Sequence, residues 1–148
     1  MGHRYRILLA EDHPLMGEAI SSVLSREYEV IAIVRAGNEV LPAAVEHCPE
    51  AIVLDVSMPG RSGLQVLPEL RSRMPFAAII ILTAHNESIY TEEAFQRGAD
   101  EYVLKDHLLK DLLPSVSTAL SKYTELRSQD QSERFGDLPN SSTTRVSV

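Results

Sequence analysis

The sequence contains a single cysteine, Cys48. One thiol cannot form an internal disulfide bond, and no second cysteine is present to help hold a metal ion. The chain also lacks an apolar run approaching the ~20 residues that a membrane-spanning helix needs. Its first residues show neither the long apolar stretch nor the small-residue cleavage site of a signal peptide. We therefore expect Cys48 to be structural and the protein to be cytoplasmic, without a membrane partner.

Basic residues are few, and they do not cluster. The chain has 14 Lys and Arg against 21 Asp and Glu, which gives a formal net charge of -7 and a pI near 5.2. Nucleic-acid binding needs clustered positive charge that displaces the counterions of the phosphate backbone. This segment is therefore not expected to bind nucleic acid. The five histidines do not show metal-ligand spacing, so none is assigned a ligand role.

Short apolar runs rich in Ile and Val alternate with longer segments of helical spacing. The segments between and after the runs place apolar residues three and four positions apart, as on one face of a helix. Five such repeats predict an α/β fold, a parallel sheet with helices on both faces. The runs, which are typical of buried strands, lie at Arg6 to Ala10, Val30 to Val34, Ala51 to Leu54, Ala77 to Leu82 and Tyr102 to Leu104.

The apolar pattern ends near Leu126, where a polar segment rich in Ser and Thr begins. We assign residues 1–124 to one globular domain and residues 125–148 to a polar, flexible tail or linker. Three prolines fall about one turn inside a proposed helix, where proline removes a backbone hydrogen bond. These are Pro42, Pro68 and Pro114. The helices that contain them either begin later than the pattern indicates or kink.

Candidate reactive residues follow the first, third, fourth and fifth predicted strands. Glu11 and Asp12 follow the first, Asp55 the third, Thr83 the fourth and Lys105 the fifth. In an open parallel sheet, reactive groups gather at these carboxyl ends. Three carboxylates in one cleft repel one another unless a cation lies among them, and hard oxygen ligands suit Mg²⁺. With a lysine and a hydroxyl beside it, Asp55 is placed to receive a phosphoryl group.

Each of these residues also has an ordinary structural explanation. Glu11 and Asp12 could cap the first helix, because acids interact well with the helix dipole there. Asp55 could be a turn residue, Thr83 a helix cap and Lys105 a surface charge. Independent caps have no reason to combine these residue types at the ends of four strands. Their joint placement therefore favours a reactive site.

The motifs "DVSMPG", "LTA" and "GADEYVLK", with the acid pair after the first strand, resemble those of the receiver domains of two-component response regulators. The resemblance extends from about residue 5 to residue 122. It implies a flavodoxin-like, doubly wound sheet of five parallel strands in the order 2-1-3-4-5. It further implies a signalling domain that catalyses only its own phosphorylation and dephosphorylation, and so is not an enzyme with an external substrate.

The resemblance implies a role for each matching position. Asp55 would accept the phosphoryl group from a sensor histidine kinase or a histidine phosphotransfer protein, while Thr83 and Lys105 would contact that group. Thr83 and Tyr102 would form the switch, since the tyrosine turns inward when the threonine moves. The face built from the fourth helix, fifth strand and fifth helix would then change its contacts with a downstream protein or a second copy of the chain.

The same resemblance implies a Mg²⁺ cofactor and its ligands. Asp12 would bind the ion directly and Glu11 through water, and Asp55 and the backbone carbonyl of Ser57 would complete the protein ligands. One departure is Asp106, which stands where many receivers have proline. A trans peptide before it is favoured, because a non-proline cis bond costs ~3 kcal/mol.

Three other functions can be compared with the same residues. A phosphatase of the haloacid dehalogenase type needs a second aspartate where Ser57 stands. A flavodoxin-like cofactor binder needs a first loop that cradles phosphate, whereas "AEDHPL" would repel it. A docking module with the receiver fold but without phosphorylation is the remaining alternative.

Overall fold

The structure, a computed structural model, describes residues 3–84 and 88–136. The end of the predicted tail, residues 137–148, lies outside these ranges. No helix within them is both long and apolar enough to cross a membrane.

Strands and α-helices alternate along the described chain, as predicted. The strands are β1 (Arg6–Ala10), β2 (Glu29–Val34), β3 (Ala51–Asp55), β4 (Ala78–Thr83) and β5 (Glu101–Leu104). The α-helices are α1 (Pro14–Leu24), α2 (Val40–His47), α3 (Gly63–Arg73), α4 (Ser88–Gln96) and α5 (Leu108–Gly136). Two short 3-10 turns, Gly37–Glu39 and Lys105–His107, precede α2 and α5. Every predicted strand agrees with an observed one to within one residue at each end.

The strands form one parallel sheet in the order β2-β1-β3-β4-β5, which confirms the predicted topology. The central strands β3 and β4 are fully buried, whereas the edge strands β2 and β5 are partly exposed. This difference follows the sequence, because strands covered on both faces need continuous apolar runs. All five carboxyl ends therefore lie along one edge of the sheet.

Helices on the two faces of the sheet enclose separate cores. Neighbouring residues of a strand point to opposite faces, so each central strand contributes to both cores. The core under α1 and α5 includes Ile7, Leu9, Val53, Ile80, Leu82, Leu112 and Val116. The core under α2, α3 and α4 includes Leu8, Ile52, Leu54, Ile79, Ile81, Leu67 and Leu70. With both faces covered, the strand ends are where polar groups of the sheet can meet solvent.

Helix α3 contains Pro68 in its interior and α5 contains Pro114, so a later start explains neither proline. In α3, Pro68 has no N–H to donate to the carbonyl of Leu64, four residues earlier. The guanidinium of Arg97 donates to that carbonyl instead, at 2.8 Å. A side chain from the end of α4 thus satisfies the group that proline leaves open.

Helix α5 continues past the predicted domain boundary at residue 124. Residues 125–136 of the predicted tail are helical, so the polar composition does not end the helix there. The side chains of residues 124–126 are exposed. The division into a domain and a flexible tail stays a prediction.

Candidate functional site

The carboxyl ends of β1 and β3 bring three acids together. Asp55 is the last residue of β3, and Glu11 directly follows β1, where its amide donates to the Val34 carbonyl at 3.0 Å. Glu11 and Asp55 are buried, whereas Asp12 is exposed. One carboxylate oxygen from each of the three lies within 4.8 Å of the other two. The structure thus gathers the three acids that the sequence pattern indicated.

Lys105 lies between the two buried acids. It begins the 3-10 turn after β5, and its Nζ is 3.0 Å from Glu11 Oε1 and 3.2 Å from Asp55 Oδ2. The side chain is 19% exposed, so the ammonium group is shielded from water but not sealed off. Removing charges from water is unfavourable unless they pair, and here one cation partners two anions. The site retains an excess of negative charge.

These contacts shift the pKa values of both partners. Burial and the charge of Glu11 raise the pKa of Asp55 from 3.8 to about 6, against the opposing effects of Lys105 and of the Ser57 amide. Burial alone would lower the pKa of Lys105, yet its hydrogen bonds and charge interactions with Glu11 and Asp55 raise it. At neutral pH, Asp55 is therefore a carboxylate whose charge is costly to keep.

The donor set fits a hard divalent cation. Glu11 Oε1 is buried, and the Lys105 ammonium lies 3.0 Å from it. The three acids border a cavity of about 310 Å³ lined by Glu11, Asp12, His13, Met16, Asp55, Ser57 and Lys105. Carboxylate oxygens with room for water are the environment that Mg²⁺ prefers.

Thr83 and Tyr102 lie on the two neighbouring strands. Thr83 ends β4, is 1% exposed, and pairs in register with Leu104, the residue before Lys105. Tyr102 is half-buried and, like Tyr90 of α4, packs against the core under α2, α3 and α4. Thr83 thus lies at the same end of the sheet as the site, and neither Thr83 nor Tyr102 is among the residues that line the cavity.

The start of α3 packs directly on the backbone of Asp55. A Cβ added to Gly63 would lie 2.4 Å from the Asp55 carbonyl oxygen, so only glycine fits there. Ser62 caps the helix in a capping box, and the Ser57 amide donates to Asp55 Oδ1 at 3.2 Å. The pattern "SGLQ" carries the signal for the cap. Nothing in the sequence pattern indicated the close approach at Gly63, which depends on the folded backbone.

His13 is a second residue of the site that the sequence pattern did not indicate. Its Nδ1 accepts a hydrogen bond from the Met16 amide at 3.3 Å and so caps α1. Its own amide donates to Glu11 Oε2 at 3.1 Å. The second contact fixes Glu11 Oε2, while the other oxygen, Oε1, lies beside Lys105 Nζ. The only signal for it in the sequence was its place directly after the acid pair.

Comparison with known proteins gives consistent matches. The family model of the response regulator receiver domain matches residues 7–117. A nitrate/nitrite response regulator protein homolog of Haemophilus influenzae is 40% identical over 120 residues, which cover 78% of this chain and 57% of that protein. The transcriptional regulatory protein PdtaR of Mycobacterium tuberculosis is 33% identical over 122 residues, covering 82% of this chain and 59% of that protein.

A solved structure supports the same fold. The two-component response regulator of the LuxR family from Aurantimonas sp. has a TM-score of 0.77 and 27% sequence identity. The match covers 90% of this chain and 99% of that one. The chain spans about three fifths of the length of the two curated relatives, from Haemophilus influenzae and Mycobacterium tuberculosis.

Proposed function

Because the chain belongs to the response regulator receiver family, we propose that it accepts a phosphoryl group on Asp55 from a sensor histidine kinase or a histidine phosphotransfer protein. The observation that carries this proposal is the position of Asp55. It is 2% exposed, 3.2 Å from the ammonium of Lys105, and on the wall of a cavity that also holds Glu11 and Asp12. A structural cap would need neither the lysine nor the cavity.

Asp55 would act as the nucleophile. Its carboxylate oxygen attacks the phosphorus of a donor phosphohistidine, the P–N bond breaks, and the imidazole nitrogen keeps the bonding electron pair. The product is an acyl phosphate on Asp55. With a pKa of about 6, this carboxyl is mostly ionised at neutral pH. Lys105 would place its positive charge against the phosphoryl oxygens, which favours the charge distribution of the transition state.

Mg²⁺ would be held by Asp12 and Asp55 directly, by the backbone carbonyl of Ser57, and by Glu11 through water. When bound, it would neutralise charge on the phosphoryl oxygens during transfer. The three clustered carboxylates and the cavity that they border support this ligand set. The reaction modifies the protein itself and turns over no external substrate.

The output would be a change in protein contacts. Thr83 would hydrogen-bond to the phosphoryl group and Tyr102 would turn inward, altering the face formed by α4, β5 and α5. The half-buried position of Tyr102, packed against the core under α2, α3 and α4, supports this role. The contacting partner would be a downstream protein or a second copy of the chain, in the cytoplasm, and not nucleic acid, given the net charge of -7.

Intact mass spectrometry after incubation with acetyl phosphate and Mg²⁺ tests the proposal. One phosphoryl group should be added to the wild-type chain, and it should be absent in Asp55→Ala and after chelation of the metal. Asp106→Asn is the matched control, because Asp106 is an exposed aspartate beside Lys105 in the chain. That variant should still gain the group.

Failure of the wild-type chain to gain the group, together with failure to bind Mg²⁺ in titration calorimetry, would contradict the proposal. It would instead favour the docking module that keeps the fold without phosphorylation. An adduct that persists in Asp55→Ala would show that another residue is the acceptor.

A further inference from the structure

The phosphoacceptor loop, residues 56–62 between β3 and α3, packs against the 3-10 turn that follows β2. The amide of Gly37 in this turn donates a hydrogen bond to the carbonyl of Pro59 in the loop at 3.0 Å. Gly37 is buried at this contact. The hydrogen bond joins the two backbones directly, so its geometry depends on how closely they approach.

A side chain at Gly37 would collide with the phosphoacceptor loop. A Cβ there would lie 1.5 Å from the Arg61 carbonyl oxygen and 2.4 Å from its carbonyl carbon. Both atoms belong to the backbone, so no rotation of a side chain could relieve the overlap. The loop itself would have to move to admit even one methyl group.

A second glycine faces the same contact from the loop. Gly60 has a φ of 80°, in the left-handed region that favours glycine. A Cβ there would lie 2.9 Å from Oδ1 of Asn38, the residue that follows Gly37. The turn and the loop thus approach each other through one glycine on each side.

The phosphoacceptor loop begins at the reactive site. The amide of Ser57 donates to Asp55 Oδ1 at 3.2 Å, and Ser57 lines the cavity. At its other end the loop passes into Gly63, which packs on the Asp55 carbonyl. Because both ends are fixed on Asp55, a displacement at Pro59 or Arg61 must be taken up within the loop, where Ser57 lies.

We propose that Gly37 is a positioning residue for phosphoryl transfer. Its close contact with the phosphoacceptor loop holds the Ser57 backbone where Mg²⁺ and the incoming phosphoryl group need it. Gly37 does not line the cavity and acts only through the loop. The inference rests on the proposed function. It adds a residue that follows β2, which is separated from β3 and Asp55 by β1.

The variant Gly37→Ala tests this role through three measurements. Mg²⁺ affinity by calorimetry and the rate of adduct formation with acetyl phosphate should each fall about 10- to 100-fold, the range for residues that orient metal ligands. In the metal-free protein, hydrogen exchange at the Ser57 amide should become faster. The third measurement needs neither metal nor phosphoryl donor.

Gly98→Ala is the matched control for lost stability. Gly98 has a φ of 120°, and a Cβ there would lie 2.9 Å from Arg71 Cβ, so alanine is strained at this position too. Gly98 precedes β5 and so lies at the amino-terminal ends of the strands, whereas the site lies at their carboxyl ends. Urea unfolding should show a loss of stability in this variant, while Mg²⁺ affinity and adduct rate stay within about twofold of wild type.

Gly60→Ala provides a milder change if Gly37→Ala does not fold. Its methyl group would meet the end of a side chain, which can rotate, so the loss of Mg²⁺ affinity should be smaller. Adding Asn38→Ala removes the contacted atom and should restore part of that affinity. The strain of a left-handed alanine at position 60 would remain in this double variant, and it should lower the free energy of unfolding without lowering Mg²⁺ affinity.

Measurements on the wild-type chain distinguish the positioning role of Gly37 from the proposed function. If it binds Mg²⁺ and gains the phosphoryl group while Gly37→Ala does both equally well, the positioning role is wrong and the proposed function stands. Equal losses of Mg²⁺ affinity and adduct rate in Gly37→Ala and Gly98→Ala would also overturn the role, because such losses would follow from reduced stability anywhere in the fold. A wild-type chain that binds no Mg²⁺ would overturn both.

Discussion

At the scale of single residues, the ionised carboxylate of Asp55 is held where burial and Glu11 disfavour it. These two effects raise its pKa from 3.8 to about 6. The folded state therefore binds more protons than the unfolded chain between these values, and stability falls as pH rises through this window. Keeping Asp55 ionised therefore costs stability at neutral pH.

Replacing Asp55 with Asn should therefore stabilise the metal-free protein at pH 7.5. The expected gain is about 1–3 kcal/mol in the free energy of unfolding, since a tenfold change in a protonation equilibrium corresponds to about 1.4 kcal/mol. The gain should shrink as pH falls and vanish near pH 4, where the aspartate is neutral as well. Urea unfolding at several pH values measures it.

The exposed control Asp106→Asn should change stability by no more than about 0.5 kcal/mol. An Asp55→Asn variant that is less stable than wild type at pH 7.5, or a gain that does not depend on pH, would contradict this interpretation of the site.

The convergence of the acids and Lys105 could be predicted from the sequence, because parallel strands bring their carboxyl ends to one edge. The pairing of Lys105 with Glu11 as well as Asp55 could not, since it depends on side-chain conformation. The contact at Gly37 was equally hidden, because it joins loops from opposite sides of β1. Spacing along the chain carries no information on how closely two loops approach.

At the scale of elements, a buried ionic cluster fastens α3 and α5 to the amino-terminal ends of β4 and β5. Asp100 Oδ2 accepts from Arg71 at 2.7 Å and from the Ile79 amide at 2.9 Å. Its Oδ1 accepts from the Tyr123 hydroxyl at 2.6 Å and lies 3.4 Å from Lys122 Nζ. Burial and Asp100 raise the pKa of Tyr123 to about 12, so its hydroxyl remains a donor at physiological pH.

Three substitutions in this cluster should give graded losses of stability. Asp100→Ala leaves Arg71 without its buried partner and should cost about 3–5 kcal/mol. Tyr123→Phe removes one hydrogen bond and should cost about 1 kcal/mol. Lys122→Met removes a side chain that is 51% exposed and should cost about 0–1 kcal/mol. Urea unfolding measures all three.

Phosphoryl acceptance in Lys122→Met and Tyr123→Phe should match that of wild type. The cluster lies at the amino-terminal ends of the strands, whereas Asp55 lies at a carboxyl end. A loss for Lys122→Met as large as for Asp100→Ala would show that the exposed lysine, not the buried pair, holds α5. Equal stability in all variants would show that apolar packing alone fixes the helix.

Strand positions and order could be predicted because apolar runs and their alternation with helices are local signals. The Asp100 cluster was not predicted, although "GADEYVLK" contains its central residue. Its partners Arg71 and Tyr123 lie far away in the sequence and meet Asp100 only in the folded sheet. Similarly, the sequence marked Pro68 as uncomfortable in a helix but did not reveal that Arg97 compensates for it.

At the scale of the whole molecule, the two edges of the sheet offer different surfaces. The edge strand β5 contacts α4 and α5. Phe95 of α4 is 45% exposed, and Tyr102 of β5 is half-buried. The opposite edge is β2, where Ile33 is 40% exposed. Only the β5 edge carries the proposed switch residue, so a contact that depends on phosphorylation should form there.

Self-association through the α4-β5-α5 face should therefore increase on phosphorylation. Sedimentation velocity with Mg²⁺ and the phosphoryl analogue beryllofluoride should show a larger dimer fraction than without the analogue. Phe95→Ser should reduce that fraction, because it removes exposed apolar area from the face. Ile33→Ser is the matched control on the other edge and should leave dimerisation unchanged. A chain that stays monomeric with and without the analogue would rule out the second copy as partner and leave a different protein as the target. Equal losses in both variants would show that the contact is not confined to the β5 edge.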